Sequence, residues 1–429
     1  MMCALEKIRM DTSSFKPLLS SLYGIEEKIF AQQMARYQRL IREFQHLFSP
    51  AIPHLFSAPG RTEIGGNHTD HNHGKVLAAS INLDTIAVAA PVSDNRITIY
   101  SAAYPQPFIV TLNGLEPRTS DYRTTTALIR GIASKFQQLG FRLGGFNACI
   151  SSEVMAGSGL SSSAAIEILL GTILNALYNE NAINLETLAA IGQYAENVYF
   201  NKPCGLMDQI ACAVGGIVAI DFENPQQPRV EKIEFDFASQ NYSVLVVNTG
   251  GNHADLTDDY ASVPREMKAV AAQLGRQVCR QITREDVLQN IHHLRTTVGD
   301  RAVLRALHFF DENERVDRQV AALRAGDFNA FLREVNASGN SSCRWLQNCF
   351  TTKNVAEQGV TLALALTENF LTSIGEGACR VHGGGFAGTI QAFLPKRCVD
   401  EYTELMESVF KPGCVQVLSI RAVGTIQLQ

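Results

Sequence analysis

The stretch GRTEIGGNHTDHNHG at residues 60–74 crowds four glycines, an arginine, two acids and three of the chain's ten histidines into fifteen positions. Two chemistries suit that mixture. His68, Asp70, His71 and His73 are proper ligands for a transition metal, and the same polar groups could grip a hydroxylated small molecule. A second stretch, MAGSGLSSSAA (155–165), sets glycines and serines between an expected strand and an apolar helix. Free backbone N–H groups there, at the positive end of the helix dipole, suit an anion; the plainer role of the serines is to cap the helix. A third, AENVYFNKPCGLMDQIA (195–211), carries Glu196 on an expected helix and Asp208 just past a Pro/Gly break, in surroundings apolar enough for burial. HGGGFAG (382–388) formally contains GxGxxG, but the strand-like TIQAFLP after it points to a tight glycine turn and against a dinucleotide fingerprint. No GxxxxGK[ST] occurs, so a Walker-type site lacks its lysine.

These residues need elements to hold them. Helical periodicity runs over 25–48, 124–140, 162–178, 185–200, much of 264–340, 354–371 and 398–410. Strand patterns fall in 84–112, 146–154, 215–222, 242–250 and in GTIQAFLP and VQVLSIRA near the end. The mixture lacks a regular βαβ repeat, which predicts an α+β fold. A composition shift near NPQQP (224–228) divides the chain into an N-terminal lobe, 25–235, and a C-terminal lobe, 236–429; residues 1–24 form an extension to which the sequence assigns no role.

Composition narrows the function classes. A chain of 429 residues, 46% hydrophobic and 18% charged with net charge −5, reads as a globular protein with no overall electrostatic bias toward nucleic acid or an anionic membrane. Ten scattered cysteines without a CxxC pair predict a reduced, cytoplasmic protein. The first residues lack the apolar core of a secretory signal, and the most apolar run, 162–178, is shorter than the roughly 20 residues that cross a bilayer.

Taken together, the motifs resemble those of a known family. APGRTEIGGNHTDHNHGKVL resembles the galactokinase signature, GSGLSSSAA the phosphate loop of the GHMP small-molecule kinases, CGLMDQ the galactokinase stretch with its functional aspartate, and RVHGGGFAGTIQAFL the family's third, glycine-rich motif. They occur in the family's order across residues 58–394. The resemblance implies a two-lobed α+β fold with ATP and a sugar meeting between the lobes, and ATP-dependent phosphorylation of a monosaccharide at its anomeric hydroxyl, galactose first. It implies that Arg61 and Asp208 flank that hydroxyl, that Asn67, His68, Asp70, Gly205 and Tyr260 line the sugar site, and that Gly157, Ser158, Gly159, Leu160, Ser161, Ser162 and Ser163 surround the triphosphate. Mg²⁺ would be held by Ser163 and Glu196. The expected partners are the sugar and ATP, on a monomer or weak homo-oligomer.

The match departs from the family at several positions, three of which change a polar or charged side chain. Where galactokinases usually read N-L-I-G-E-H-T-D-Y-N, this chain has Glu63, Asn67 and His71 in place of Asn, Glu and Tyr. Asn67 stands where the family's glutamate contacts an outer sugar hydroxyl, so the uncharged amide alters discrimination at that end. A related aldose or amino sugar is therefore an alternative substrate. A non-catalytic sugar sensor and a zinc hydrolase are alternatives of other classes. The SSSAA run, Arg61, Glu196 and Asp208 favour the kinase over a sensor, and H-x-D-H-x-H differs from the H-x-H-x-D-H of metallo-β-lactamase-like hydrolases.

Overall fold

Alternating small and branched side chains in HLFSAPGRTEIG and KVLAASINLDTIAVAAPV form two long antiparallel strands, β1 (His54–Gly65) and β2 (Lys75–Val92). The computed structural model describes residues 12–48, 52–155, 157, 159–202, 204–251 and 256–428. Around β1 and β2 it builds an eight-stranded sheet with β3 (Arg96–Ser101), β4 (Phe108–Thr111), β5 (Gly145–Ser152), β6 (Ile217–Asp221), β7 (Arg229–Ile233) and β12 (Ile426–Gln427). The order is β12-β1-β2-β5-β3-β4. The first part of β2 pairs instead with β6, and β6 with β7. Among the described residues, only β3 and β5 of this sheet run parallel.

Both faces of this sheet are covered, which explains why β2 is apolar at nearly every position. Leu55, Ile86, Val88 and Ala90 pack against helices α1 (Thr12–Tyr23) and α2 (Glu27–Phe48). Phe56, Ala58, Ala87 and Ala89 pack on the opposite face against α3 (Thr125–Gln138), α4 (Ser162–Tyr178), α5 (Leu185–Tyr194) and α6 (Met207–Val214). A second, wholly antiparallel sheet contains β8 (Tyr242–Asn248), β9 (Ala378–His382), β10 (Thr389–Pro395) and β11 (Val415–Leu418) in the order β11-β8-β10-β9. Helix α7 (Thr257–Gln273) and later helices, among them Asp300–Ala325 and Phe328–Ser341, accompany it. Ile64, Leu77 and Ala79 of the first sheet share one apolar cluster with Val244, Val246 and Phe393 of the second and with Val316 and Phe331 of the helices.

The expected α+β class matches these elements, and several boundaries move. The opening motif, whose glycines and charges give no strand pattern, is a strand as far as Gly65. The helix expected over 185–200 stops at Tyr194 and continues as a π-turn, Ala195–Tyr199. The helix expected from 354 begins at Gly359. The division after residue 235 falls between the two sheets, yet the tail crosses back to pair with β1. Residues 12–24 also gain a place: Phe15, Leu19, Leu22 and Tyr23 are buried against α2 and the first sheet.

A buried ionic cluster joins these ends. Asp84 of β2 is fully buried and accepts hydrogen bonds from Arg36 of α2 at 2.6 Å and from Arg421 of the tail at 3.0 Å, as well as from the hydroxyls of Tyr23 and Ser57. Burial by itself would raise its carboxyl; the two guanidiniums outweigh that and keep it below the usual range. Asp84→Asn would leave the buried Arg421 without a counter-charge and Arg36 with only the part-exposed Glu153, 3.2 Å away. It should lower unfolding stability by about 3–5 kcal/mol, read as the midpoint of chemical denaturation; a midpoint equal to that of the parent protein would contradict the role given to Asp84.

Candidate active site

Arg61 organises the site from the end of β1. The β1–β2 register shifts between Pro59 and Arg61 and again between Glu63 and Gly65, and such bulges re-aim side chains. Gly60 has to be small there, because a Cβ would lie 2.8 Å from the Leu160 carbonyl oxygen. The Arg61 backbone N–H donates to that carbonyl at 3.1 Å, and Nη1 donates to the Gly159 carbonyl at 2.6 Å. Nε and Nη2 form a two-pronged pair with Asp208, at 2.7 and 2.8 Å.

Asp208 lies in the first turn of α6, where the helix dipole favours its charge. Burial would raise its carboxyl, but Arg61 and the Ser161 hydroxyl, which also donates to it, hold it down at about 2. Ser161 precedes α4 in a left-handed conformation, φ 59° and ψ 59°, and does not cap the helix. Its hydroxyl goes to Asp208 instead, leaving the first turn of α4, with Ser162 and Ser163, without a side-chain cap. The capping role open to these serines in the sequence is therefore not the one Ser161 plays. Gly157 and Gly159 both take positive φ, and a Cβ on Gly159 would lie 2.7 Å from Thr389 Oγ1 of β10. Leu160 contributes its backbone, since its side chain is buried in the core. Ser158 lies outside the described residues.

A carboxylate group adjoins this loop. The Ser163 hydroxyl donates to Glu196 Oε1 at 3.0 Å, and the Lys202 ammonium reaches the same oxygen at 2.8 Å. Gln209, next to Asp208, donates to Glu196 Oε2 at 3.0 Å and to Glu167 Oε2 at 2.9 Å. Burial and then the Glu196 charge push the Glu167 carboxyl well above the usual range, and Glu167 Oε1 has no hydrogen-bond partner. The π-turn Ala195–Tyr199, a feature common at functional sites, carries Glu196. Ser163 and Glu196 are hard oxygen donors beside an uncapped helix start, and they fit a Mg²⁺ that keeps water and phosphate oxygens in its shell.

The loop after β1 supplies the other wall. His68, at φ 60°, directs Nε2 to the Gly384 carbonyl at 2.9 Å; burial, followed by His71, lowers its imidazole to about 4, so it is neutral near pH 7. Asp70 packs so closely on Gly205 that a Cβ there would lie 1.7 Å from its Oδ2. Tyr260 of α7 donates to the Gly385 carbonyl at 2.9 Å and contacts Gly384, where a Cβ would fall 2.5 Å from the ring. The HGGGFAG turn thus touches His68 and Tyr260, while its neighbour Thr389 lies against Gly159.

Asn67 does not join the residues expected to line the sugar site, and the expectation for it is corrected here. It is fully buried: its amide donates to Glu63 at 2.8 Å and to the Gly383 carbonyl at 2.9 Å, and its carbonyl accepts from Ser342 and Asn348. Glu63 is itself buried and paired with Arg380 of β9 at 2.8 Å, so it too faces inward. His71 remains part-exposed, 3.6 Å from Asp70. Among the described residues, no three His, Cys, Asp or Glu side chains converge as a metal-holding group, and His68, Asp70, His71 and His73 form no such set. Nor is any described helix long and apolar enough to cross a membrane.

Sequence reasoning missed Glu167, Lys202 and Gln209. Glu167 follows Ser163 by four residues and so shares its helix face, a usable signal; Gln209 is visible only as the neighbour of Asp208, and Lys202 only as one charge among many.

Comparison with known proteins identifies the family. The family model described as the galactokinase galactose-binding signature matches residues 42–91, and that of the GHMP kinases N-terminal domain matches 127–216. A galactokinase of Streptomyces coelicolor is 30% identical over 86% of this chain and 91% of its own, and one of Limosilactobacillus reuteri is 28% identical over 87% and 94%. The Lactococcus lactis galactokinase structure, complexed with galactose, superposes with a TM-score of 0.76 at 24% identity, covering 90% of this chain and 98% of its own. The Methanococcus jannaschii mevalonate kinase, with a TM-score of 0.60 at 15% identity over 87% and 99%, shares the fold. With its signature motifs converging on Arg61 and Asp208 and a relative this similar along most of its length, the chain belongs to the galactokinase family of GHMP kinases.

Proposed function

We propose that the protein transfers the γ-phosphoryl group of ATP to the anomeric hydroxyl of galactose. The observation that carries this reading is the Arg61–Asp208 pair, bonded through Ser161 and the Gly159 carbonyl to the loop that opens α4. One end of that arrangement suits a sugar hydroxyl and the other a triphosphate. An ionised Asp208 accepts a hydrogen bond from the acceptor hydroxyl and fixes its direction. A carboxyl held at about 2 is a weak base, which suits a loose transition state in which the hydroxyl loses its proton late. Arg61 places positive charge beside the reacting oxygens, and the N–H groups at the start of α4 offset the charge on the phosphate.

Ser163 and Glu196 would hold Mg²⁺, whose chemistry when bound is to neutralise charge on the β- and γ-phosphates. His68, Asp70, Gly205 and Tyr260 would line the sugar. A related aldose or amino sugar is the second reading, and the internal bonding of Asn67 favours it: the side chain standing at the family glutamate's position is uncharged and bonds to Glu63, the Gly383 carbonyl and Asn348.

ADP release measured across a panel of monosaccharides should be largest with galactose, and release independent of any sugar would overturn the kinase reading. A larger kcat/KM for an amino sugar or another aldose would select the second reading. Asp208→Asn should lower kcat about a thousandfold with little change in sugar KM, since it removes orientation and charge from the acceptor oxygen; a parental kcat would remove Asp208 from the mechanism. Because the folded Asp208 carboxyl lies below its ordinary 3.8, it is ionised through neutral pH, and the stability it contributes is complete above about pH 4 and lost as pH falls toward 2. Difference infrared spectroscopy against Asp208→Asn should find its carboxylate band unchanged from about pH 5 to 8; loss of that band near pH 6 would refute the assignment.

A further inference from the structure

The geometry points to Lys202 as a mobile cation of the phosphoryl-transfer site, stored on Glu196 Oε1 until a divalent ion takes that oxygen and thereby released to the triphosphate. The inference rests on the kinase reading given above and concerns a residue outside the signature motifs.

Three observations carry it. The Lys202 ammonium lies 2.8 Å from Glu196 Oε1, the same oxygen that accepts the Ser163 hydroxyl, so lysine and metal compete for one ligand atom. The two carboxylate oxygens are not equivalent alternatives, because Gln209 donates to Oε2 from a buried position. The lysine is also free to leave: its side chain is 57% exposed, while its backbone is tethered by an N–H bond to the Glu196 carbonyl at 3.1 Å.

A divalent ion at about 2.1 Å from Oε1 cannot share it with an ammonium at hydrogen-bond distance without strong like-charge repulsion. The displaced ammonium stays near by the backbone tether, and its charge already acts on Asp208 and Tyr260 as well as on Glu196. With nucleotide bound, the phosphates beside the start of α4 are the strongest nearby anion for it. Release of the lysine thus couples metal arrival to the delivery of a second positive charge.

The test compares the parent protein with Lys202→Met, which keeps the length of the stem and removes the charge, and with Lys202→Arg. Mn²⁺ binding is measured without nucleotide or sugar, by electron paramagnetic resonance. Lys202→Met should bind Mn²⁺ about tenfold more tightly, because no ammonium has to be displaced; unchanged or weaker binding overturns the storage half of the proposal. With saturating metal, ATP and galactose, kcat of Lys202→Met should fall about a hundredfold with sugar KM preserved, and Lys202→Arg should retain most of the parental rate. A parental kcat in Lys202→Met overturns the delivery half. The Mn²⁺ measurement needs no turnover, so a parent protein inactive on every sugar would sink the kinase reading while leaving the competition for Glu196 separately decided.

Discussion

Arg61 is the fixed point on which the site depends. Its backbone N–H holds the Leu160 carbonyl, one guanidinium nitrogen holds the Gly159 carbonyl, and the other two hold Asp208. One residue therefore sets the distance between the turn that opens α4 and the carboxylate that opens α6. A lysine could not reproduce this, because its single ammonium lacks the planar fork that meets two carboxylate oxygens while reaching a carbonyl. The bulge at Pro59–Arg61 and the absence of a side chain at Gly60 serve that placement, since they let β1 approach the Leu160 carbonyl closely.

A polar seam then ties the two sheets together behind the site. Thr62 bonds to His382 at 3.0 Å and receives a hydrogen bond from Gln391 at 2.6 Å, Glu63 pairs with Arg380, and Asn67 gathers donors and acceptors from three segments of the second half. Buried polar groups are stabilising when bonded; Arg380 Nε and Nη1, Gln391 Oε1 and Asn348 Oδ1 have no partner, but the bonds that the seam does make form only in one relative arrangement of the sheets. The departures at Glu63 and Asn67 read together in that light. They bond to each other, and the acid at position 63 answers the buried Arg380, so both positions serve the interior of this chain.

Much of the site could be read from the chain because its chemistry is local. Glycine-rich turns, serines before an apolar helix and an arginine with a distant acid are patterns a short window reveals, and their order fixed the fold class. What stayed hidden depends on partners hundreds of residues away or on a local break in helix geometry. Nothing near Asn67 announces that Asn348 and Gly383 will consume its amide, and nothing near Lys202 announces Glu196 as its partner, because a π-turn interrupts the helix that simple periodicity would continue. β1 was hidden for another reason. Its glycines and charges look like a loop, and its strand character comes from pairing with β2 and from burial along almost its whole length.

The cluster around Asp84 bears on how the chain is made. Arg36 emerges from the ribosome before Asp84, but Arg421 follows it by 337 residues, and β12, which closes the edge beside β1, comes later still. Until those last residues arrive, the nascent first sheet has an unsealed edge and an ionic centre short of one cation. Its final locking therefore waits for a segment more than three hundred residues downstream, and any stalled or prematurely terminated product would expose a sticky β-edge that invites aggregation or quality-control recognition.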